Sequence, residues 1–399
     1  MKKNLLTAAV AAVLIPTAMF AQPQVRPQQP EPDYKFTVVK ELPITSIKNQ
    51  NSSGTCWCFS TISFLESEII RLKGIKDAAQ YPDLSEMFVV SWSYKDRADK
   101  YIRLDGNLTF GAGSEADDVL DVIRDYGIVP QAAMPGKQKL PVHGELDAVT
   151  KAYVEAIAKT PNRGGLSKEW KGGFDAVVDN FLGVPPTSFE VNGKTFTPET
   201  YRDELGIVPE DYVTITSFTH HPFYTKFAIE VCDNWRWDTA YNVPIDEFMQ
   251  ILKEAIDKGY TAAWGSDVSE RGFTRNGVAV LLDTNTPTTG SDQARWVGGD
   301  AAQAQKSVEL PKEITPTQEL RQEWFDAKTT TDDHGMHIFG TAKDQNGNTY
   351  FMVKNSWGES GKYKGIWYAS ENFVAGKSLD IMIHKDALSK DMKKKLGIK

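Results

Sequence analysis

Cys56, His334, Asn355 and Gln50 are residues whose types and order along this sequence could perform nucleophilic catalysis. A thiol becomes a useful nucleophile when a base takes its proton, a third group orients that base, and donors await the oxyanion. The stretch SGTCWCFS, residues 53 to 60, holds two of the chain's three cysteines. If it is helical, each residue turns the chain by about 100°, so Cys56 and Cys58 project about 200° apart, onto opposite faces. They can then share neither a metal nor an unstrained disulfide. Cys58 falls on an apolar stripe with Ile62, Leu65, Ile69 and Leu72 and is expected to be a small core residue. Cys56 stands at the helix start, where free N–H groups and the positive end of the helix dipole lower a thiol's pKa. It is the candidate nucleophile, and on this stretch alone a structural thiol at a helix end is the equal alternative.

His334 opens one candidate strand, HGMHIFGTAKD, and Asn355 ends another, TYFMVKNSWG. The Asn346-Gly347 dipeptide between them signals a β-hairpin, whose outer ends meet at one sheet edge. A two-residue loop there sets His334 opposite Glu359, four residues beyond Asn355. A longer loop or a bulge must therefore correct the register. Gln50, six residues before Cys56, can supply a side-chain donor beside the Cys56 N–H in an oxyanion hole. Trp357 can shield the His–Asn bond from water. His337 faces the other side of the strand. The adjacent His220 and His221 suggest a surface or substrate-wall role, and His143 and His384 have no partner nearby in sequence. Neither HExxH nor CxxC occurs, so a zinc site has little support, and thiol chemistry of this kind requires no metal or organic cofactor.

The elements that must position these groups are partly legible. Residues 56 to 74 read as a helix stopped by Gly74, residues 115 to 126 as a second ended by Gly127 and Pro130, and IDEFMQILKEAIDKG as a third stopped by Gly259. YTAAWGSDV, GIWYAS and LDIMIHK have strand character. Helices early and antiparallel strands late indicate an α+β protein of two lobes with a cleft between them. Residues 136 to 216, with Pro/Gly-rich pieces such as LGVPP, read as a large insertion on the same domain pair. The 399 residues, 41% hydrophobic and 25% charged, suffice for one large or two modest domains. A net charge of -8 gives no global attraction to nucleic acid or anionic membranes, so neither is an expected partner. An odd cysteine count leaves the fold to its core rather than to cross-links.

The N-terminus pairs Lys2 and Lys3 with an apolar run from Leu5 to about Leu14 and small residues to Ala21. This reads as a signal peptide over residues 1 to 21, and hence as a periplasmic or secreted product. The run is shorter than the roughly 20 residues a bilayer core requires. Residues 22 to 33 form a Pro/Gln-rich disordered lead, with the folded domain expected over 34 to 399.

At these residues the chain resembles the papain superfamily of cysteine peptidases, through IKNQNSSGTCWCFS, LSE at 84 to 86, DHGM and KNSWG. Within that superfamily, four further segments look like the bleomycin hydrolase / aminopeptidase C family. They are GAGSEADDVLDVIRDYGIVP, FLGVPPTSFE with TPETYRDE, YNVPIDEFMQILKEAIDKGYTAAWGSDV and KNSWGESGKYKGIWY. The likeness spans roughly residues 40 to 390. It implies Cys56 as nucleophile, His334 as base, Asn355 as orienting amide and Gln50 as oxyanion donor. It also implies a papain-like fold with a helical lobe and an antiparallel β-barrel-like lobe, and peptide substrates; some relatives form hexamers, and the acidic charge and trimmed ends leave the oligomeric state of this chain open. Three departures stand out: a short lead before Gln50, an export signal in a family that is usually intracellular, and a shortened C-terminal arm ending HKDALSKDMKKKLGIK. Either the terminal carboxylate still docks near the site, giving an aminopeptidase, or an open cleft admits endopeptidase action. A silent peptide-binding homologue is the remaining reading.

Overall fold

The computed structural model describes residues 33–160, 165–283 and 310–399. The expected signal segment, and the lead as far as residue 32, lie outside the described residues.

The helical lobe is built around α1 (Cys56–Lys73), which is buried from Trp57 to Ile70 and ends at Gly74 in the left-handed conformation, φ 62°. Gly74 fits that position because it lacks the Cβ that would clash there. Helix α2 (Glu86–Arg103) is capped by Ser85, whose hydroxyl accepts from the Phe88 N–H at 3.1 Å, a cap that contributes about 1 kcal/mol. Helix α3 (Ala116–Tyr126) begins where the Glu115 N–H donates to Asp118 Oδ2 at 2.9 Å. The stretch read as an insertion supplies α4 (Gly144–Ala158), α5 (Glu169–Leu182), the hairpin β2 (Phe189–Val191) and β3 (Lys194–Phe196), and α6 (Pro198–Leu205). Val154, Phe174 and Tyr201 from these elements share one core with Leu65, Val89 and Val119. Its last five residues are β4 (Tyr212–Thr216), a strand of the main sheet.

The other lobe is that sheet with its covering helices. After β1 (Thr37–Glu41), its strands are β4, β5 (Lys226–Ala228), β6 (Thr239–Asn242), β7 (Ala262–Ser266), β8 (Phe273–Thr274) and β9 (Val278–Ala279). They continue with β10 (His334–Lys343), β11 (Thr349–Lys354), β12 (Ile366–Ser370) and β13 (Ser378–His384). The order β5-β6-β4-β13-β7-β10-β11-β12-β9-β8 is open, with β1 on the far half of β10. The architecture is therefore α+β as expected. It contains no closed barrel among the described residues, and β4–β6 and β9–β12 pair in parallel. Alternation along β7 sends Ala263 into the helical core and Trp264 into the sheet core. Helix α7 (Ile245–Lys258) covers the face opposite α1, with α8 (Gln318–Asp326), α9 (Glu371–Lys377) and α10 (Lys390–Leu396) around it. Met392 and Leu396 of α10 insert into the sheet core, and Lys395 pairs with Glu247 of α7 at 2.9 Å.

The β10–β11 register is set by two departures from the simplest hairpin. Asp344 and Asn348 close a three-residue loop whose Gly347 takes φ 84°, and Lys343 faces Thr349. A bulge between Ile338 and Gly340 then shifts the pairing again, to His337 opposite Lys354. Each shift moves the pairing by one residue. The position across from His334 becomes Trp357 instead of Glu359, which brings Asn355 within diagonal reach.

Candidate active site

The segment before α1 is held by backbone pairing to both lobes. Gln50 N–H donates to Ser356 O at 2.8 Å, and the His143 N–H donates to Ser52 O at 3.0 Å. Gly54 adopts φ 63°, and a Cβ there would come within 2.9 Å of the Ala112 Cβ. Thr55 O accepts the Cys58 and Phe59 N–H groups, so the helix proper starts at Cys56 with its first donors still unspent. Cys56 is half-buried, whereas Cys58 is fully buried with its thiol on Glu86 O at 3.5 Å. The two cysteines part as helical geometry requires, and all three cysteines are free.

The opposite wall is the start of β10. His334 is buried, with Nε2 2.8 Å from Asn355 Oδ1. The Trp357 ring stacks on the imidazole, centroids 4.8 Å apart and planes at 28°. Gly335 is what lets this strand lie on the first turn of α1: a Cβ would sit 3.1 Å from Trp57 Cα and 2.7 Å from Ser60 Oγ. His337 points away from the site, as expected, into a hydrogen bond with Ser63 Oγ at 2.9 Å.

Ser356 ties the two amides together. Its N–H donates to Asn355 Oδ1 at 2.7 Å and its hydroxyl donates to Gln50 Oε1 at 2.5 Å. With Oε1 occupied, the Gln50 side chain offers its Nε2 donors to the cavity it lines. Sequence reasoning did not single out Ser356 or Gly335, although both lie inside the segments KNSWG and DHGM.

Cys56, His334 and Gln50 line one cavity of about 280 Å³ between the lobes. Glu115, Asp233, Asp332, Asp333 and Asp380 line it too, and among the described residues no lysine or arginine does. Burial raises the carboxyl of Asp332 to about 6, with the charges of Asp233 and Asp333 adding, and burial raises that of Asp380 to about 7, with the charge of Asp332 adding. Glu115 is raised well above its ordinary value, first by burial and then by Asp332. Burial likewise pushes the Cys56 thiol up to about 11, with Asp332 and Asp233 adding, against backbone N–H bonds from Gly335 and Trp57. The helix start alone predicts a lowered thiol; enclosure beside carboxylates reverses the sign. Burial takes His334 down to about 4, opposed by its bond to Asn355. The resting site thus favours a neutral thiol beside a neutral imidazole.

Behind the cavity, Lys48 forms ion pairs with Glu86 and Asp83, both at 2.7 Å, and lies 3.8 Å from Glu66. Lys48 precedes Gln50 by two residues, so this cluster fastens the Gln50 segment to α1 and α2. His220 and His221 lie outside the cavity, at the protein surface. His143 is buried beside Ser53, and His384 lies against the Tyr212 and Tyr260 rings.

Residues 33–135 match the family model described as papain family cysteine protease, and residues 313–398 match the Peptidase C1-like family. The chain is 23% identical to aminopeptidase C of Lactococcus lactis subsp. lactis (strain IL1403), over 90% of its own length and 84% of the relative's. It is 22% identical to aminopeptidase G of Lactobacillus delbrueckii subsp. lactis, over 90% and 85%. The structure of PepW from Lactobacillus rhamnosis HN001 shares the fold at TM-score 0.69 and 20% identity, across 90% of this chain and 84% of that one. Those matches, at both ends and along most of its length, support a papain-superfamily cysteine peptidase of the aminopeptidase C type.

Proposed function

We propose that this chain is an exported cysteine aminopeptidase in which Cys56 is the nucleophile, His334 the base, Asn355 the amide that orients it, and Gln50 an oxyanion donor. The observation that carries the reading is the His334–Asn355 bond on the wall of the cavity that Cys56 and Gln50 also line. Asn355 occupies Nε2, which leaves Nδ1 to receive the thiol proton. Cys56 Sγ attacks the scissile carbonyl as that proton passes to His334, while the Gln50 Nε2 group and the Cys56 N–H hold the oxyanion. His334 then donates the proton to the leaving amine, and the C–N bond breaks to give a thioester. Water, deprotonated by His334, hydrolyses the thioester and restores the thiol.

Selectivity for a free N-terminus follows from the charge of the cleft. Glu115, Asp332 and Asp380 pay for close burial with raised pKa values, and an ammonium placed among them relieves that repulsion. The α-ammonium of a peptide's first residue is such a group, and lies two bonds from the carbonyl under attack. The last fifteen residues pack around α7, and none of them lines the cavity, so the carboxylates are the groups available for this task among the described residues. The proposal of export rests on the pattern of residues 1 to 21.

Labelling with a thiol-reactive epoxide tests the assignment of Cys56. One equivalent should attach at Cys56 and abolish turnover, and Cys56→Ala should neither label at that position nor cleave. Full peptidase activity in Cys56→Ala would overturn the assignment. Mature protein starting at Gln22 in the medium or periplasm tests export, and an intact N-terminus on cytoplasmic protein would overturn it.

A further inference from the structure

His220 and His221 follow β4, and Glu230 follows β5, yet all three converge on one point. His220 Nε2 is 3.0 Å from Glu230 Oε2 and His221 Nε2 is 2.9 Å from Glu230 Oε1. One donor atom from each residue lies within 4.8 Å of the others. Partial burial works to raise the Glu230 carboxyl, but the hydrogen bonds from His221 and His220 outweigh it and hold the group below its ordinary value.

The rings are held in place by their surroundings. His221 stacks on Phe227 with centroids 4.2 Å apart, and His220 stacks on Phe325 at 5.7 Å. The loop carrying both is pinned by the fully buried Asn242, whose Nδ2 donates to Phe218 O at 2.7 Å and to His221 O at 2.9 Å. Gln322 of α8 sets the far side of His220. Its Nε2 lies 3.1 Å and its Oε1 3.3 Å from His220 Nδ1. That amide can donate to a bare Nδ1 while Nε2–H faces Glu230. It can equally accept from Nδ1–H once Nε2 has given its lone pair to a metal. A ligating imidazole needs this second arrangement, because its other nitrogen must carry the proton.

We propose that His220, His221 and Glu230 form a divalent-cation site, with zinc as the ion that their donor set suits. Two imidazole nitrogens and one carboxylate oxygen supply three corners of a tetrahedron at about 2.0–2.2 Å from the ion, and water takes the fourth, on the solvent side. The ion clips the segment after β4 to the segment after β5, at a surface outside the peptidase cavity. The ligands are an adjacent pair and a residue ten positions after the first, so no standard spacing announces them in the sequence. The site plays no part in the thiol chemistry.

Calorimetric titration of zinc chloride into the full mature chain, with its thiols capped by iodoacetamide, tests the proposal. Capping removes Cys56 and Cys232 as competing ligands. One zinc ion per chain should bind, and zinc should raise the midpoint of thermal unfolding. His221→Ala and Glu230→Gln should each weaken binding at least tenfold and abolish the midpoint shift, while uncapped samples of both variants cleave peptide at the wild-type rate, showing that they are folded. Cobalt in place of zinc should give the visible bands of a tetrahedral ion. An absence of binding at micromolar zinc, or binding unchanged in Glu230→Gln, would overturn the site.

Discussion

Ser356 and Gln50 are joined twice: the Ser356 hydroxyl donates to Gln50 Oε1 at 2.5 Å, and the Gln50 N–H donates to Ser356 O at 2.8 Å. Because the Ser356 N–H also holds Asn355 Oδ1, one serine sets both Gln50 and Asn355, the proposed oxyanion donor and orienting amide. Ser356→Ala removes the hydroxyl and frees the Gln50 amide to rotate. The loss of one neutral hydrogen bond is about 1 kcal/mol, so kcat should fall roughly fivefold with little change in KM. Steady-state kinetics checks this, and a change confined to KM would argue against a role in positioning.

Gly335→Ala is expected to damage the site more than any surface change of equal size. Its Cβ would press on Trp57 Cα at 3.1 Å and on Ser60 Oγ, forcing β10 away from α1 and His334 away from Cys56. Such overpacking costs about 1–3 kcal/mol. Denaturant unfolding should show that loss, and peptidase activity should fall at least tenfold at temperatures where the variant remains folded.

Asp332→Asn should separate thiol reactivity from substrate selection. Asp332 raises the Cys56 thiol pKa, so alkylation of Cys56 near neutral pH should accelerate in the variant. Free-amine substrates should bind more weakly, because part of the cleft's negative charge is gone. In the wild type, Asp332 and Asp380 protonate as pH falls through about 7 to 6, and KM for a free-amine substrate should rise over that interval. KM independent of pH between about 5 and 7.5 would count against ammonium recognition by these groups.

Lys48→Met should lower stability rather than chemistry alone. Burial disfavours the Lys48 charge, yet Glu86 and Glu66 outweigh it and hold the ammonium above its ordinary pKa. Burial in turn raises Glu86 to about 7, with Lys48 opposing. Removing the cation leaves Glu66 and Glu86 buried without it, at a cost of about 3 kcal/mol. The thermal midpoint checks this, and an unchanged midpoint would contradict the buried network.

How much of this was readable in the sequence depends on how local each feature is. Helices α1, α3 and α7 follow the sequence reading closely, because apolar spacing and the glycines at 74, 127 and 259 act within a few residues. The order Gln50, Cys56, His334, Asn355 was likewise visible as residue types. The β10–β11 register was not, because β10 bulges where it changes partner from β7 to β1, a consequence of strands distant in sequence. The sign of the Cys56 shift was hidden for the same reason. The helix start is local, whereas the enclosing carboxylates come from four separate segments of the chain. The convergence of His220, His221 and Glu230 depends on how β5 follows β4, which no spacing rule encodes.

The most direct test of the central claim compares an aminoacyl coumarylamide carrying a free α-amine with its N-acetylated twin on the wild-type enzyme. Acetylation deletes the ammonium and leaves the carboxylates unpaired around it, a penalty of about 3 kcal/mol or roughly a hundredfold in kcat/KM. Preference for the free amine by that order supports an aminopeptidase governed by Glu115, Asp332 and Asp380. Equal or faster cleavage of the acetylated substrate would contradict it.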